Sequence, residues 1–504
     1  MKAIYKIHLF IVFVSALFCQ SCTNLDEDVY SSIPADQFFR NEEEVIMNVG
    51  RAYTHLYSYI GHFSLWSATL ISSDEAICPY RETNLWWDNG VWVNLHRHNF
   101  SSQYGNTENC WSFIFDGVTL CNQILYQLDM SEVNFPTKPS LMAEVKILRA
   151  WLYYHALDIF GNVPLSIDFA QQDLPEQVGR TELFNFVDGE IKENISLLDN
   201  VPTSKNYGRV TKSMAYTLQA KLYLNAKEWI GKEMWTETIE ACDNIIAFNN
   251  FILEPDYFTN FKVNNEGSKE NIFVMSLDNI YTSWRMIFHQ LTLHTMSQQT
   301  FGIVDFCWDG FCGMEDHYKL YSEPDVRRKG WLEGPQFDVA GNPLMLSPTR
   351  QLTYRPNVKA LYNEYDPALL DDGVRFAKYE LESGLMNGMS NDFVFFRYAD
   401  VLLMKAEALV RLGKKTEALP YLNQIRARAG ITLYTEKEVT LDEILDERSR
   451  ELAWEGFRRQ DLIRFDKWND AWFEKEAKDD YTKLFPIPYW AMDTNSKLKQ
   501  NPGY

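Results

Sequence analysis

Apolar residues recur at helical spacing in several parts of the chain. Leu148, Leu152, His155 and Ile159 follow one another at intervals of four, three and four, which predicts one face of a helix over 144–160. Gly161 and Pro164 come next as stop signals. Ala215, Leu218, Leu222 and Ala226 predict a helix over 212–226, and Leu403, Ala406 and Val410 another over 400–412, closed by Gly413. After a very short turn a further helix is expected over 417–429, and 236–246 reads as the partner of the helix ending near Ala226. Paired helices with alanine at close contacts predict tetratricopeptide-like packing, most clearly over 408–419. The repeats are imperfect and widely separated, which argues against a simple solenoid. Two stretches lack the period: 72–105, rich in Trp, Asn, Asp and Gly, and 278–367, with scattered Gly, Pro and aromatics. The fold class expected is mostly all-α, with helices as scaffold and long irregular loops as the recognition surface.

The first residues follow a different pattern. Lys2 and Lys6 precede an almost wholly apolar run from Ile7 to Cys19. About thirteen residues is shorter than the roughly 20 a membrane-spanning helix needs and suits a signal peptide. Ser21-Cys22 then reads as a lipoprotein cleavage site, making Cys22 the acylated N-terminus of the mature protein. The expected organisation is a signal peptide over 1–21, an acidic tether over 22–36, and two regions, 37–250 and 251–504, each ending in or containing helical repeats.

Charge and composition narrow the chemistry. Lys and Arg number 48 against 69 Asp and Glu, a formal charge of −21. Loss of Lys2 and Lys6 with the signal leaves 46 basic residues and −23. Such a surface repels nucleic acid and anionic lipid. Aromatics make up 15%, including 15 Trp. Flat apolar rings stack on the C–H faces of sugars, although core packing is the default for any single ring. The six remaining cysteines, Cys78, Cys110, Cys121, Cys242, Cys307 and Cys312, form no CxxC pair, which argues against structural zinc. His96 and His98 would share one face of a strand, but no carboxylate or cysteine nearby completes a metal set. Asp74 and Glu75 would point apart on extended chain, unlike the converging carboxyls of a glycosidase. No cofactor and no metal is expected.

Five ordered segments carry a resemblance. They are Leu148-Arg149-Ala150-Trp151-Leu152-Tyr153-Tyr154 with Phe160-Gly161-Asn162-Val163-Pro164, then Gly208-Arg209-Val210-Thr211-Lys212, then Phe396-Arg397-Tyr398-Ala399-Asp400. Glu447-Arg448-Ser449-Arg450-Glu451 follows, running on to Trp454-Glu455-Gly456-Phe457-Arg458-Arg459-Gln460-Asp461, and the chain closes on Leu484-Phe485-Pro486-Ile487-Pro488 and Asn501-Pro502-Gly503-Tyr504. Together, behind a lipoprotein signal, they resemble the SusD/RagB family of surface glycan-binding lipoproteins. The resemblance implies four tetratricopeptide-like units, a SusC-like TonB-dependent transporter in the outer membrane as partner, and binding of oligo- or polysaccharide without catalysis. The charged residues of the fourth segment, Arg448 to Asp461, read as a salt-bridge network along one helix, with Gly456 permitting close packing.

The same resemblance places candidate sugar contacts at Arg81, Trp86, Trp87, Asp88, Asn89 and Trp92, with Glu82 standing where glycine is expected. Trp284, Trp308 and Trp331 are candidates in the second irregular stretch. A Trp face would stack on a pyranose while Asp, Asn and Arg bond its hydroxyls. Two other functions fit the residues: a family member that binds peptide or protein, and a surface glycoside hydrolase, whose carboxylates have no fixed spacing.

Overall fold

The computed structural model describes residues 39–504 except Asn84 and Leu85. The signal peptide, Cys22 and the tether lie outside the described residues. Helices form the scaffold: α1 (Glu42–His55), α2 (Leu65–Ile71), α3 (Gly105–Met130), α4 (Lys138–Ile159), α5 (Arg180–Asn194), α6 (Lys212–Leu224), α7 (Trp235–Ala247), α8 (Tyr398–Arg411), α9 (Lys415–Ala429), α10 (Leu441–Leu452) and α11 (Arg458–Arg464). They pack as sequential pairs, α3 on α4, α4 on α5, α6 on α7 and α8 on α9, with α7 also against α8.

The predicted helices are all present. In α4, Leu148, Leu152 and Ile159 are buried as their spacing requires, because the helix is sandwiched between α3 and α5. Gly161 ends it at φ 72°, where a Cβ would lie 2.9 Å from Arg180 Nε and from Leu484 Cδ1. Thr211 caps α6, accepting from the Met214 N–H at 3.3 Å. That helix stops at Leu224, and Ala226 opens a separate short helix to Ile230.

Two five-residue strands tie the halves of the chain. β1 (Asn271–Met275) pairs antiparallel with β2 (Phe393–Arg397), Phe393 opposite Met275 and Arg397 opposite Asn271. Both strands are buried throughout, and β2 runs straight into α8. The second irregular stretch is therefore an excursion from a two-stranded stem. Ala76–Ile77 pairs with Cys312–Gly313, and Arg81 bridges to Ala368, so the two irregular stretches lie against each other. The first also contains a short helix, Val91–His96, which its composition did not predict.

The charged motif spans two helices rather than one. The chain breaks after Leu452, with Trp454 at φ 61° and Gly456 at φ 84° before α11 begins. The resulting network is tertiary and buried. Arg397 donates to Glu270 (2.8 Å), Glu451 (2.5 Å) and Glu455 (2.8 Å). Arg448 bridges Asp400 (2.9 Å) and Asp461 (2.8 Å), and Arg464 holds Glu407 and Asp461. Arg458 grips Asp74 with two bonds of 2.6 and 2.7 Å. Opposed guanidinium groups hold the Glu447 and Asp461 carboxyls down at about 2 despite burial.

Candidate functional site

The segment 81–92 crosses the joint between the two irregular stretches, and its side chains divide into a buried frame and a half-buried surface. Arg81 belongs to the frame. It is 4% exposed, and its guanidinium donates to the backbone carbonyls of Asp309 (2.7 Å), Leu369 (2.7 Å) and Asp372 (3.0 Å). Arg375 performs the same service from the other side, donating to the carbonyls of Leu370, Asp372 and Gly373 and to Asp309 Oδ1 at 2.7 Å. These carbonyls belong to irregular backbone that has no ladder to satisfy it, so a buried planar fork is the economical partner. Glu82, in the place expected for glycine, is also structural: it accepts from Arg350 Nη1 (2.9 Å) and the Leu370 N–H (3.2 Å).

Trp92 is the second frame residue. Its indole is fully buried, stacked on Phe63 (ring centroids 5.1 Å, 13° between planes) and edge-on to Phe311 (4.8 Å). Its Nε1–H donates to Asp88 Oδ2 at 2.6 Å, and the same oxygen lies 2.7 Å from His62 Nε2. Asp88 and Asn89 are left-handed, at φ 49° and 52°. Asp88 is thus fixed from two sides, while Asn89 is exposed.

The expectation that Arg81 and Trp92 touch a ligand is corrected by this burial: neither presents a face to solvent. Trp331 is likewise buried, against His317, Phe376 and Trp454.

Trp86 and Trp308 come together although 222 positions separate them. Their rings stand 5.2 Å apart at 54°, half-buried over the Trp92–Phe311 floor, with His62 beside both. Trp86 lies so close on Gly310 that a Cβ there would fall 2.0 Å from the ring. Trp87, its neighbour, turns the other way. It stacks on Tyr362 (5.3 Å, 17°) and meets Tyr80 edge-on, forming a separate group of three rings. Trp284 is 56% exposed on a left-handed backbone (φ 64°).

Sequence reasoning missed His62, Phe63 and Phe311, the residues that orient Asp88 and floor the cluster. Gly61 and Phe63, both at positive φ, mark the tight turn that delivers His62 and Phe63.

Other candidates resolve to structure. His96 and His98 lie on a short helix and the turn after it, bonded to the carbonyls of Phe473 (2.6 Å) and Ser72 (2.7 Å). Burial pushes His96 down to about 4. No group of three or more potential metal ligands occurs among the described residues. Asp74 is taken by Arg458, and Glu75 is buried and pushed up to about 8 by desolvation. The six cysteines are buried and free.

Two family models match the chain: one described as the SusD family over residues 368–504, and one described as starch-binding associating with outer membrane over residues 25–224. The chain is 26% identical to the starch-binding protein SusD of Bacteroides thetaiotaomicron over 72% of each sequence. It is 26% identical to the SusD-like protein P25 of Formosa agariphila over 99% of this chain and 100% of that one. Among solved structures it superposes on surface glycan-binding protein A of Bacteroides thetaiotaomicron, in complex with laminarihexaose, with a TM-score of 0.74 at 24% identity, covering 92% of this chain and all of that one. A laminarin binding SusD-like protein gives a TM-score of 0.76 at 21% identity over the same shares.

Proposed function

Because the chain belongs to the SusD/RagB family, we propose that it is a non-catalytic surface protein that captures oligo- or polysaccharide and hands it to a SusC-like TonB-dependent transporter. The observation that carries this reading is the half-exposed Trp86–Trp308 pair on a rigid buried floor, with Asp88 fixed beside it. Two rings set at 54° suit successive sugars of a curved chain better than one flat ribbon. Apolar ring faces supply the affinity, and Asp88 and the exposed Asn89 supply hydroxyl partners. Trp87, on the neighbouring Tyr362–Tyr80 group, extends the surface. Relatives whose names record starch or laminarin binding support the same ligand class.

Capture without cleavage fits the carboxylates. A glycosidase needs two of them facing each other across the scissile bond. The adjacent pair Asp74 and Glu75 is committed to Arg458 and to burial instead. No helix among the described residues is long and apolar enough to cross a membrane. We infer attachment to the outer membrane through acylated Cys22, on the signal and cleavage pattern of the sequence, and Cys22→Ser should move the protein out of the membrane fraction.

Affinity electrophoresis against a polysaccharide panel tests the reading. The protein should be retarded by at least one neutral glycan, Trp308→Ala and Trp86→Ala should lose that retardation while staying folded, and no reducing sugar should appear. Steady release of reducing sugar, or wild-type retention in both variants, would reject it.

A further inference from the structure

Helix α4 carries a polar side chain on the face that its spacing marks as apolar. His155 stands between Leu152 and Ile159, against the rings of Trp151 (centroids 4.4 Å) and Tyr59 (5.6 Å). It lines a cavity of about 20 Å³ where α2, α4, α6, β2 and the start of α11 meet. Three of the five ordered segments read from the sequence reach this cavity: the first through Trp151 and Tyr154, the third through Phe396, the fourth through Gly456 and Gln460.

The walls are largely aromatic, but they carry polar atoms that the protein itself does not satisfy. His155 Nε2 is buried without a hydrogen-bond partner. Burial pushes this imidazole down to about 3, so it is neutral and offers one donor and one acceptor. Asp158 gives Oδ2 to Arg459 (2.9 Å), and Gln460 Oε1 accepts from the Tyr154 hydroxyl (2.8 Å). Asp158 Oδ1, the Gln460 amide N–H groups and the buried Tyr59 hydroxyl have no protein partner among the described residues. Gly456 lies beside the Tyr59 oxygen. It is left-handed (φ 84°), and a Cβ there would stand 3.0 Å from Tyr59 Oη, so a side chain would crowd the cavity as well as strain the turn.

Buried hydroxyl, amide and imidazole groups without partners destabilise a fold, and internal water offsets this where the space is polar and large enough. About 10–15 Å³ of free volume admits one water, which takes about two to four polar partners. This cavity meets both conditions and is too small for a sugar. We propose that it is a binding site for one internal water, shared among Tyr59, His155, Asp158 and Gln460. The water joins α4 to the segment 456–460, about 300 positions away in the chain. It gives His155 a role that the apolar stripe of α4 does not, and it is independent of the glycan-binding reading.

High-resolution crystals of the wild-type protein test the site directly: density for a water is expected about 2.7–3.0 Å from Tyr59 Oη. Calorimetry of Tyr59→Phe tests it by sign. The variant keeps the ring and removes one oxygen. In a hydrated cavity the water loses a partner, and the protein should melt about 1 °C below wild type, the shift one such bond produces in a chain of this length. In a dry cavity the same change removes an unpaired buried hydroxyl, and the protein would melt at or above wild type. His155→Phe should shift in the same direction and stands in for Tyr59→Phe if that variant does not fold. A cavity without density, or melting at or above wild type, would overturn the proposal. So would a peak that scatters anomalously in crystals soaked with rubidium or bromide, which would make the occupant an ion.

Discussion

Replacing Trp92 with alanine tests the division between frame and surface. The indole is fully buried, stacked on Phe63, crossed by Phe311 and bonded to Asp88. Emptying a site of this kind costs about 3–5 kcal/mol. The lost bond to a carboxylate adds about 1–3 kcal/mol, toward the low end because Asp88 is one-fifth exposed and can rehydrate. The expected destabilisation is therefore about 4–6 kcal/mol. Trp308→Ala, at a partly buried ring, should cost about 2–3 kcal/mol, less than Trp92→Ala because part of its apolar area is already in solvent. Urea unfolding followed by far-ultraviolet circular dichroism measures both, with the midpoint falling further for Trp92→Ala at similar slope. Trp92→Phe keeps most of the packing and loses only the Nε1–H, so it should fall between wild type and Trp92→Ala. If Trp92→Ala unfolds within about 1 kcal/mol of wild type while losing glycan, the indole is a ligand contact and the assignment of a buried frame is wrong.

Gly310→Ala should displace the Trp86 ring, because the added methyl meets it at 2.0 Å. Overpacking of this kind costs about 1–3 kcal/mol, and glycan affinity should drop at least as far as in Trp86→Ala when both are titrated side by side. The pH profile carries two effects of opposite sign. Glu75, raised from 4.5 to about 8, contributes stability that is complete below pH 4.5 and lost as pH rises toward 8. Glu75→Gln should thus melt higher than wild type at pH 8, with the gap closing near pH 4. Glu447 and Asp461, lowered to about 2, contribute stability that is present above their ordinary values and lost as pH falls through about 4 to 2. Melting temperatures should therefore collapse on the acid side, and a flat profile there would contradict the buried network.

The helices were legible because a 3.6-residue period survives in a single sequence wherever one face is buried, as in α4 and α8. Their interruptions were less so. The spacing of Arg448 to Asp461 does not announce the break at Trp454; only Gly456, at φ 84°, hints at it, and Lys378 and Arg397 hold Glu455 in the broken segment from other elements. The candidate site was legible as a segment and not as a set of contacts. Trp86, Trp87 and Trp92 are chemically alike and six positions apart at most. Their different fates are set by Gly310 and Phe311, by Tyr362, and by Phe63, none of them near in sequence except the last. Arg81 has the same history: the carbonyls that claim it lie more than 220 residues away.

Left-handed residues show what this frame is for. Phe63, Asp88, Asn89, Trp284, Asp309 and Asn387 all lie left-handed in the loops around the aromatic surface; Asp and Asn take that conformation readily, but for Phe63 and Trp284 it is an unfavourable one. Loops free to move would relax them. Arg375 opposes that relaxation by donating to three carbonyls and to Asp309 at once. Lysine at this position keeps the charge but has three donors on one point and no planar fork, so at least one carbonyl and the Asp309 bond cannot be satisfied together. Arg375→Lys should leave every ring in place chemically yet let the 309–310 and 369–373 backbone loosen under Trp86. Glycan affinity should then fall about tenfold, and calorimetry should assign the loss to a less favourable binding entropy, because the loops must be ordered on binding. Affinity and entropy equal to wild type in Arg375→Lys would mean that the strained loops hold themselves, and that the buried arginines serve stability alone.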